Sequence, residues 1–168
     1  MADSPLLNST GVISIKISSN GKDIADTTQI VAIEVICGVN KIPAARITIL
    51  DGDMLNNDFS AGYGSSLTSI FKGVVIKHGI KLDGDNFSRL IVQCKDNAVA
   101  MTVGRKNANF VDMKDSDIIS QLVGAYSGLS SDVTATNTSY KELVQYYCTD
   151  WDFILTRAEA NGFLVTAD

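Results

Sequence analysis

Five short apolar-rich runs fall within the first 96 residues, and they constrain this chain more than any other feature. Val12–Ser18, VISIKIS, alternates apolar and polar side chains and puts Ile13, Ile15 and Ile17 on one face of a strand. Asn20-Gly21 then signals a tight hairpin, with a short return strand at Asp23–Ile24. Ile30–Cys37 and Arg46–Leu50 predict two more strands, with Gly38-Val39-Asn40 turning the chain between them. Ser69–Lys77 reads as one strand with Gly73 inside it, where glycine predicts a bulge or a close backbone approach. Arg89–Cys94 pairs back on it across the Asp83-Gly84-Asp85-Asn86 turn. Strands at such short spacing predict an antiparallel barrel or sandwich over residues 1–96.

After Asp96 the apolar period changes. Asn97–Asn107 reads as a linker containing Gly104-Arg105-Lys106. Asp115 or Ser116 is placed to cap a helix reaching Tyr126, with Ile118, Ile119, Leu122, Val123 and Tyr126 on its apolar face. Ser139-Tyr140-Lys141-Glu142 has the capping-box pattern and predicts a second helix to Tyr147. Thr149 predicts the cap of a third, with Asp150 and Asp152 at the positive end of its dipole. Trp151, Ile154, Leu155 and Ala158 form its buried stripe, and Gly162 stops it. Phe163, Leu164 and Val165 then read as a new strand. The expected class is therefore α+β, mainly β: an antiparallel β-barrel followed by a small three-helix segment over 97–162, with another unit beginning at 163–168.

Composition narrows function. A net charge of −5 with scattered Lys and Arg argues against nucleic acid or an anionic membrane as partner. The first ten residues, MADSPLLNST, lack the basic and apolar regions of a signal peptide, and no apolar run is long enough to span a bilayer. Cys37, Cys94 and Cys148 are odd in number and widely spaced, so reduced thiols in a cytosolic chain are expected.

The candidate sites have simpler readings. His78 is the single histidine and has no nearby cysteine to complete a zinc site. Asp51-x-Asp53 and Asp83-x-Asp85 lack the longer oxygen-rich pattern of a calcium loop and read as turns. An acid–base reading of Asp150, Asp152 and Glu159 is weaker than capping and dipole, which explain the two aspartates. Neither Gly62-x-Gly64 nor Gly104-Arg105-Lys106 makes a phosphate loop. Trp151 reads as a core or interface anchor. No enzyme, cofactor or metal is expected.

Asp150, Phe153, Glu159 and Gly162, with Gln145 and Tyr146 upstream, resemble the helix that joins two barrels in VgrG-type spike proteins of type VI secretion. Those proteins are similar to the baseplate hubs of contractile phage tails. Ile70–Val75 around Gly73 also resembles a strand of that family. Arg157 lies one place later than the family's arginine, and Cys148 stands where an acidic residue is common. The resemblance implies a homotrimeric hub between a hexameric, Hcp-like tube and a membrane-piercing spike, in contact with baseplate and sheath proteins. It implies assembly in the bacterial cytoplasm, export by the machine and no stable membrane anchoring. It also implies that this chain is an N-terminal fragment that holds the first barrel and stops as a second begins. A further strand is implied before Ala61-Gly62-Tyr63-Gly64, yet Asp58–Ala61 looks too short to hold it. Either that strand is absent or the sequence skips a segment. The alternatives are a small barrel binding oligonucleotide or sugar, or a non-catalytic portion of a secreted hydrolase. The former wants a basic or aromatic strand face, and only Phe71 and Phe87 lie near the strands.

Overall fold

A computed structural model describes residues 13–19, 22–23, 28–50, 58–63, 66–82 and 88–167. The expected turns at Asn20-Gly21, Asp51–Asp53 and Asp83–Asn86 lie outside them. The chain divides into two compact units, one holding residues 44–95 and most of what precedes Cys37, the other Cys37–Pro43 and Asp96–Ala167.

The first unit is entirely β among the described residues. Its strands are β1 (Ile13–Ser19), β2 (Lys22–Asp23), β3 (Gln29–Ile36), β4 (Ala44–Leu50), β5 (Asp58–Tyr63), β6 (Ser66–Lys72), β7 (Val74–Leu82) and β8 (Ser88–Lys95). They form two four-stranded antiparallel sheets, β2-β1-β5-β6 and β3-β4-β8-β7. No ladder closes these sheets into a barrel among the described residues. Both contribute to one core of Ile17 and Phe71 from the first sheet and Ala45, Ile47, Ile49, Val92 and Cys94 from the second. In β4 the alternation is clean: Ala45, Ile47 and Ile49 are buried while Arg46 is exposed.

Two expectations change here. Where a strand ending before Ala61 was implied, a strand instead runs through that point: β5, Asp58–Tyr63, pairs with β1 from Ile13↔Tyr63 to Ser18↔Asp58. The single strand expected over Ser69–Lys77 is two, β6 in one sheet and β7 in the other, with Gly73 between them. A Cβ at Gly73 would lie 2.8 Å from the Lys95 carbonyl carbon and 2.9 Å from Phe71 Cζ, closer than real Cβ atoms come. The chain changes sheets where only glycine lets the two backbones approach.

The second unit opens with a 3₁₀ turn, Asn97–Thr102, capped by Asp96 Oδ1 accepting from Ala98 N–H at 2.7 Å. Then come β9 (Lys106–Lys114), α1 (Asp115–Gly124), β10 (Ser139–Cys148) and α2 (Asp150–Ala160). The helix expected at Ser139–Tyr147 is therefore a strand, and part of the expected linker is its partner: β9 and β10 pair antiparallel from Ser139↔Lys114 to Gln145↔Ala108. The expected three-helix segment is a hairpin flanked by two α-helices. Ser139-x-x-Glu142 is a weak local signal, whereas β-rich Tyr140, Val144, Tyr146 and Tyr147 gain a nonlocal partner. A bulge between Gln145 and Cys148 places Tyr147 at φ 46°, which breaks the period-two pattern that would have marked the strand.

Both helices pack through apolar stripes. Ile118, Ile119, Leu122 and Val123 of α1 meet Trp151, Phe153 and Ile154 of α2, with Phe110 stacked on Phe153 at 5.7 Å between ring centres. The start of α1 corrects the expected cap. Neither Asp115 nor Ser116 caps it; Thr136 Oγ1 accepts from Ser116 N–H at 3.1 Å instead. For α2, Thr149 Oγ1 accepts from Asp152 N–H at 3.1 Å, the cap its sequence predicts. At the other end Phe163 N–H bonds the Ala158 carbonyl and Gly162 N–H bonds that of Glu159, both at 2.9 Å, with Gly162 at φ 68°. That pairing of bonds is a Schellman stop. The strand expected to begin at Phe163 pairs with no other strand among the described residues.

Candidate functional site

The most densely connected polar cluster centres on Asp150, the first residue of α2, which is 1% exposed. Three parts of the unit supply its donors. Lys106 Nζ, at the start of β9, donates to Asp150 Oδ2 at 2.6 Å. Tyr126 Oη, just beyond α1, donates to the same oxygen at 2.5 Å. Gln145 Nε2 of β10, fully buried, donates to Oδ1 at 2.9 Å and to the Cys148 carbonyl at 3.3 Å. Lys106 Nζ also lies 2.9 Å from Tyr126 Oη and over its ring. Gln145 Oε1 is buried with no donor among the described residues.

A second buried carboxylate sits one helix away. Asp115, 1% exposed, accepts from Arg157 Nε at 2.6 Å and Nη2 at 3.0 Å, a bidentate pair. Asn161 Nδ2 adds a bond at 2.8 Å, and Tyr140 lies beneath the guanidinium at 5.0 Å. This pair ties α1 to α2 across the interior of the unit.

The electrostatics follow from these contacts. Burial pushes Asp150 up, but hydrogen bonds from Gln145, Lys106 and Tyr126 outweigh it and hold the carboxyl below its ordinary range. Asp115 behaves alike: burial raises it, and Arg157 and Asn161 bring it below normal. The bond to Asp150 raises Lys106, and that to Asp115 raises Arg157. Burial and then Asp150 raise Tyr126. Every charge in these clusters is held in its ordinary ionised state. That suits cross-linking better than proton transfer, which wants groups poised near neutrality.

The residues singled out from the sequence divide. Gln145, Asp150 and Phe153 come together in the interior of the second unit. Tyr146 points outward, 82% exposed, and Glu159 is exposed on α2. Gly162 forms the helix stop, and Gly73 lies in the first unit. Asp152 is exposed and accepts from Thr149 Oγ1 at 2.7 Å, so Asp150, Asp152 and Glu159 do not converge. His78 is exposed on β7. Cys37 is exposed, Cys94 buried and Cys148 half-buried, all as free thiols. Trp151 is a core residue. Among the described residues no group of His, Cys, Asp or Glu is placed to hold a metal ion, and no helix is long and apolar enough to cross a membrane. The sequence reading missed Lys106, Tyr126, Asp115, Arg157 and Asn161 as partners. Their bonds span 20 to 46 residues of chain, beyond any local pattern.

Solved structures share this fold, three of them as follows. One is an E. coli component of the type VI secretion system, described as similar to the bacteriophage T4 tail proteins gp27 and gp5; it is 13% identical, with a TM-score of 0.65 over 85% of this chain and 42% of its own. The 43 kDa tail protein of prophage MuSo2 from Shewanella oneidensis is 12% identical, with a TM-score of 0.66 over 91% of this chain and 52% of its own. A tail protein from Neisseria meningitidis MC58 is 11% identical, with a TM-score of 0.59 over 93% and 51%. The chain thus spans about half the length of the structures it resembles. No curated protein matches it. The family described as the Alg8 N-terminal domain matches residues 9–168, and this chain belongs to that family.

Proposed function

We propose that this chain is a structural part of a contractile injection machine, a tail-type hub that works by docking rather than by catalysis. The observation that carries the reading is the fold shared with type VI and phage tail proteins over 85 to 93% of the chain. The finer picture follows the VgrG-like pattern: a homotrimer seated on an Hcp-like tube, in contact with baseplate and sheath, assembled in the bacterial cytoplasm and then exported. On this reading the two sheets, joined at Gly73, are an open form of the hub barrel. Apolar side chains on the edge strands support a docking role: Val31 and Ile36 on β3, and Ile76, Ile80 and Leu82 on β7, are 47 to 79% exposed. The carboxylates locked in ion pairs support a non-catalytic one.

Sedimentation equilibrium at rising concentration, together with co-purification on a hexameric tube protein, tests the proposal. A trimer retained by the tube is the expected result. A monomer at high concentration that the tube does not retain refutes it. Turnover in a wall-hydrolysis assay, lost on Asp150→Asn, would replace it with the enzyme reading.

A further inference from the structure

Residues 163–167 belong to the second unit but join no sheet among the described residues. Phe163 N–H completes the stop of α2. Beyond it, the backbone bonds of the segment run to one residue. Asn40 N–H donates to the Val165 carbonyl at 2.7 Å, and Val165 N–H donates to Asn40 Oδ1 at 2.9 Å. Asn40 is unusually suited to this. Its φ of 57° is one that asparagine tolerates better than most residues, and its side chain supplies the acceptor that a strand partner would otherwise provide. Val165, Ala167 and, from the same loop as Asn40, Ile42 are each half-buried against the core of the unit, while Leu164 is 72% exposed.

We propose that residues 164–167, beyond the α2 stop, form a releasable strap and that Asn40 is the clip that seats it. The bond to Oδ1 is solvent-exposed, and only two small side chains leave the core when the segment lifts. Opening therefore requires far less than unfolding the unit, which places the strap among the locally opening segments of a native protein. Because α2 carries its own stop, it stays folded when the strap lifts. Release uncovers the part of the core against which Val165 and Ala167 pack and frees the direction of the chain beyond Val165. The inference does not depend on the hub reading.

Amide hydrogen exchange on the 168-residue chain tests it. Asn40→Gly keeps the φ and the backbone donor and removes only the Oδ1 acceptor. The Val165 amide should then exchange roughly three- to tenfold faster, the loss of one exposed hydrogen bond, while the Phe153 and Ile154 amides stay unchanged. Asn40→Asp retains an acceptor oxygen and should restore Val165 to near its parent rate. An unmoved Val165 amide in Asn40→Gly, α2 amides that accelerate by the same factor, or Asn40→Asp as fast as Asn40→Gly would each overturn the proposal.

Discussion

Replacing Asp150 with alanine isolates the anchor of the second unit. Three donors lose their shared acceptor: Lys106 Nζ, Tyr126 Oη and Gln145 Nε2. Their costs differ. Lys106 has a side chain 46% exposed, so water solvates it and this ion pair contributes little, about 0.5 kcal/mol. Gln145 is fully buried and keeps only its 3.3 Å bond to Cys148, so its stranded donor costs about 1–2 kcal/mol. Tyr126 rotates toward solvent at small cost. Losing a carboxylate from the first turn of α2 adds about 0.5 kcal/mol. Together Asp150→Ala should destabilise the unit by about 2–3 kcal/mol. Asp150→Asn should cost less, because its Oδ1 still accepts from Gln145. Trp151, the single tryptophan, is buried beside the substitution and reports the unfolding of this unit by fluorescence in urea. The pH dependence gives a second readout. Asp150 has its folded pKa depressed, so its contribution is complete above the unfolded carboxylate value near about 4 and fades as pH falls through the folded value. The gap between parent and Asp150→Ala should hold from neutrality to about pH 5 and narrow below about pH 4. A difference under about 0.5 kcal/mol at neutral pH, or a gap that widens in acid, would refute the account.

Two further outcomes concern the first unit. Gly73→Ala forces a Cβ against the Lys95 carbonyl and Phe71 and should destabilise that unit by about 1–3 kcal/mol, measured by far-ultraviolet circular dichroism in urea. Burial pushes the Cys94 thiol up to about 11, so its contribution is complete below the ordinary thiol range and is lost as pH rises toward that value. Cys94→Ala should flatten this alkaline loss, and a thiol reagent at neutral pH should label exposed Cys37 well before Cys94.

The sequence announced what is local and stayed silent on what is not. The α2 helix was legible end to end, because Thr149, the apolar stripe and Gly162 act within a few residues of one another. The strands β3, β4 and β8 were legible because at least one of their faces meets the core and their side chains alternate or run apolar. The hairpin of β9 and β10 was not. In β9, Ala108 and Phe110 turn inward, but Asp112 at φ 52° breaks the alternation before Met113. In β10 the bulge at Tyr147 does the same. The residue pattern of Ser139–Tyr147 favoured the helix reading, and pairing with a distant partner overrode it. The junction at Gly73 was half legible: glycine signalled a close approach, but not that the chain changes sheets there.

The same split explains the candidate site. Asp150 could be placed from the sequence, but its role could not. As a first-turn residue it reads as a helix-dipole partner, which needs nothing beyond α2 itself. In the fold it is the common acceptor for β9, β10 and the chain after α1, so it orders elements that share no sequence signal. Asp115 repeats the logic, acting through Arg157 and Asn161 rather than as the cap of α1. Buried carboxylates whose donors come from distant elements specify one arrangement among many compact ones, since any other packing strands a charge. The proposed docking role would need such a fixed arrangement more than it would need reactive groups. Conversely, if Asp150→Ala and Arg157→Ala each left both stability and the protected amides of β9 and β10 unchanged, apolar packing alone would set this unit's geometry, and the buried charges would need another explanation.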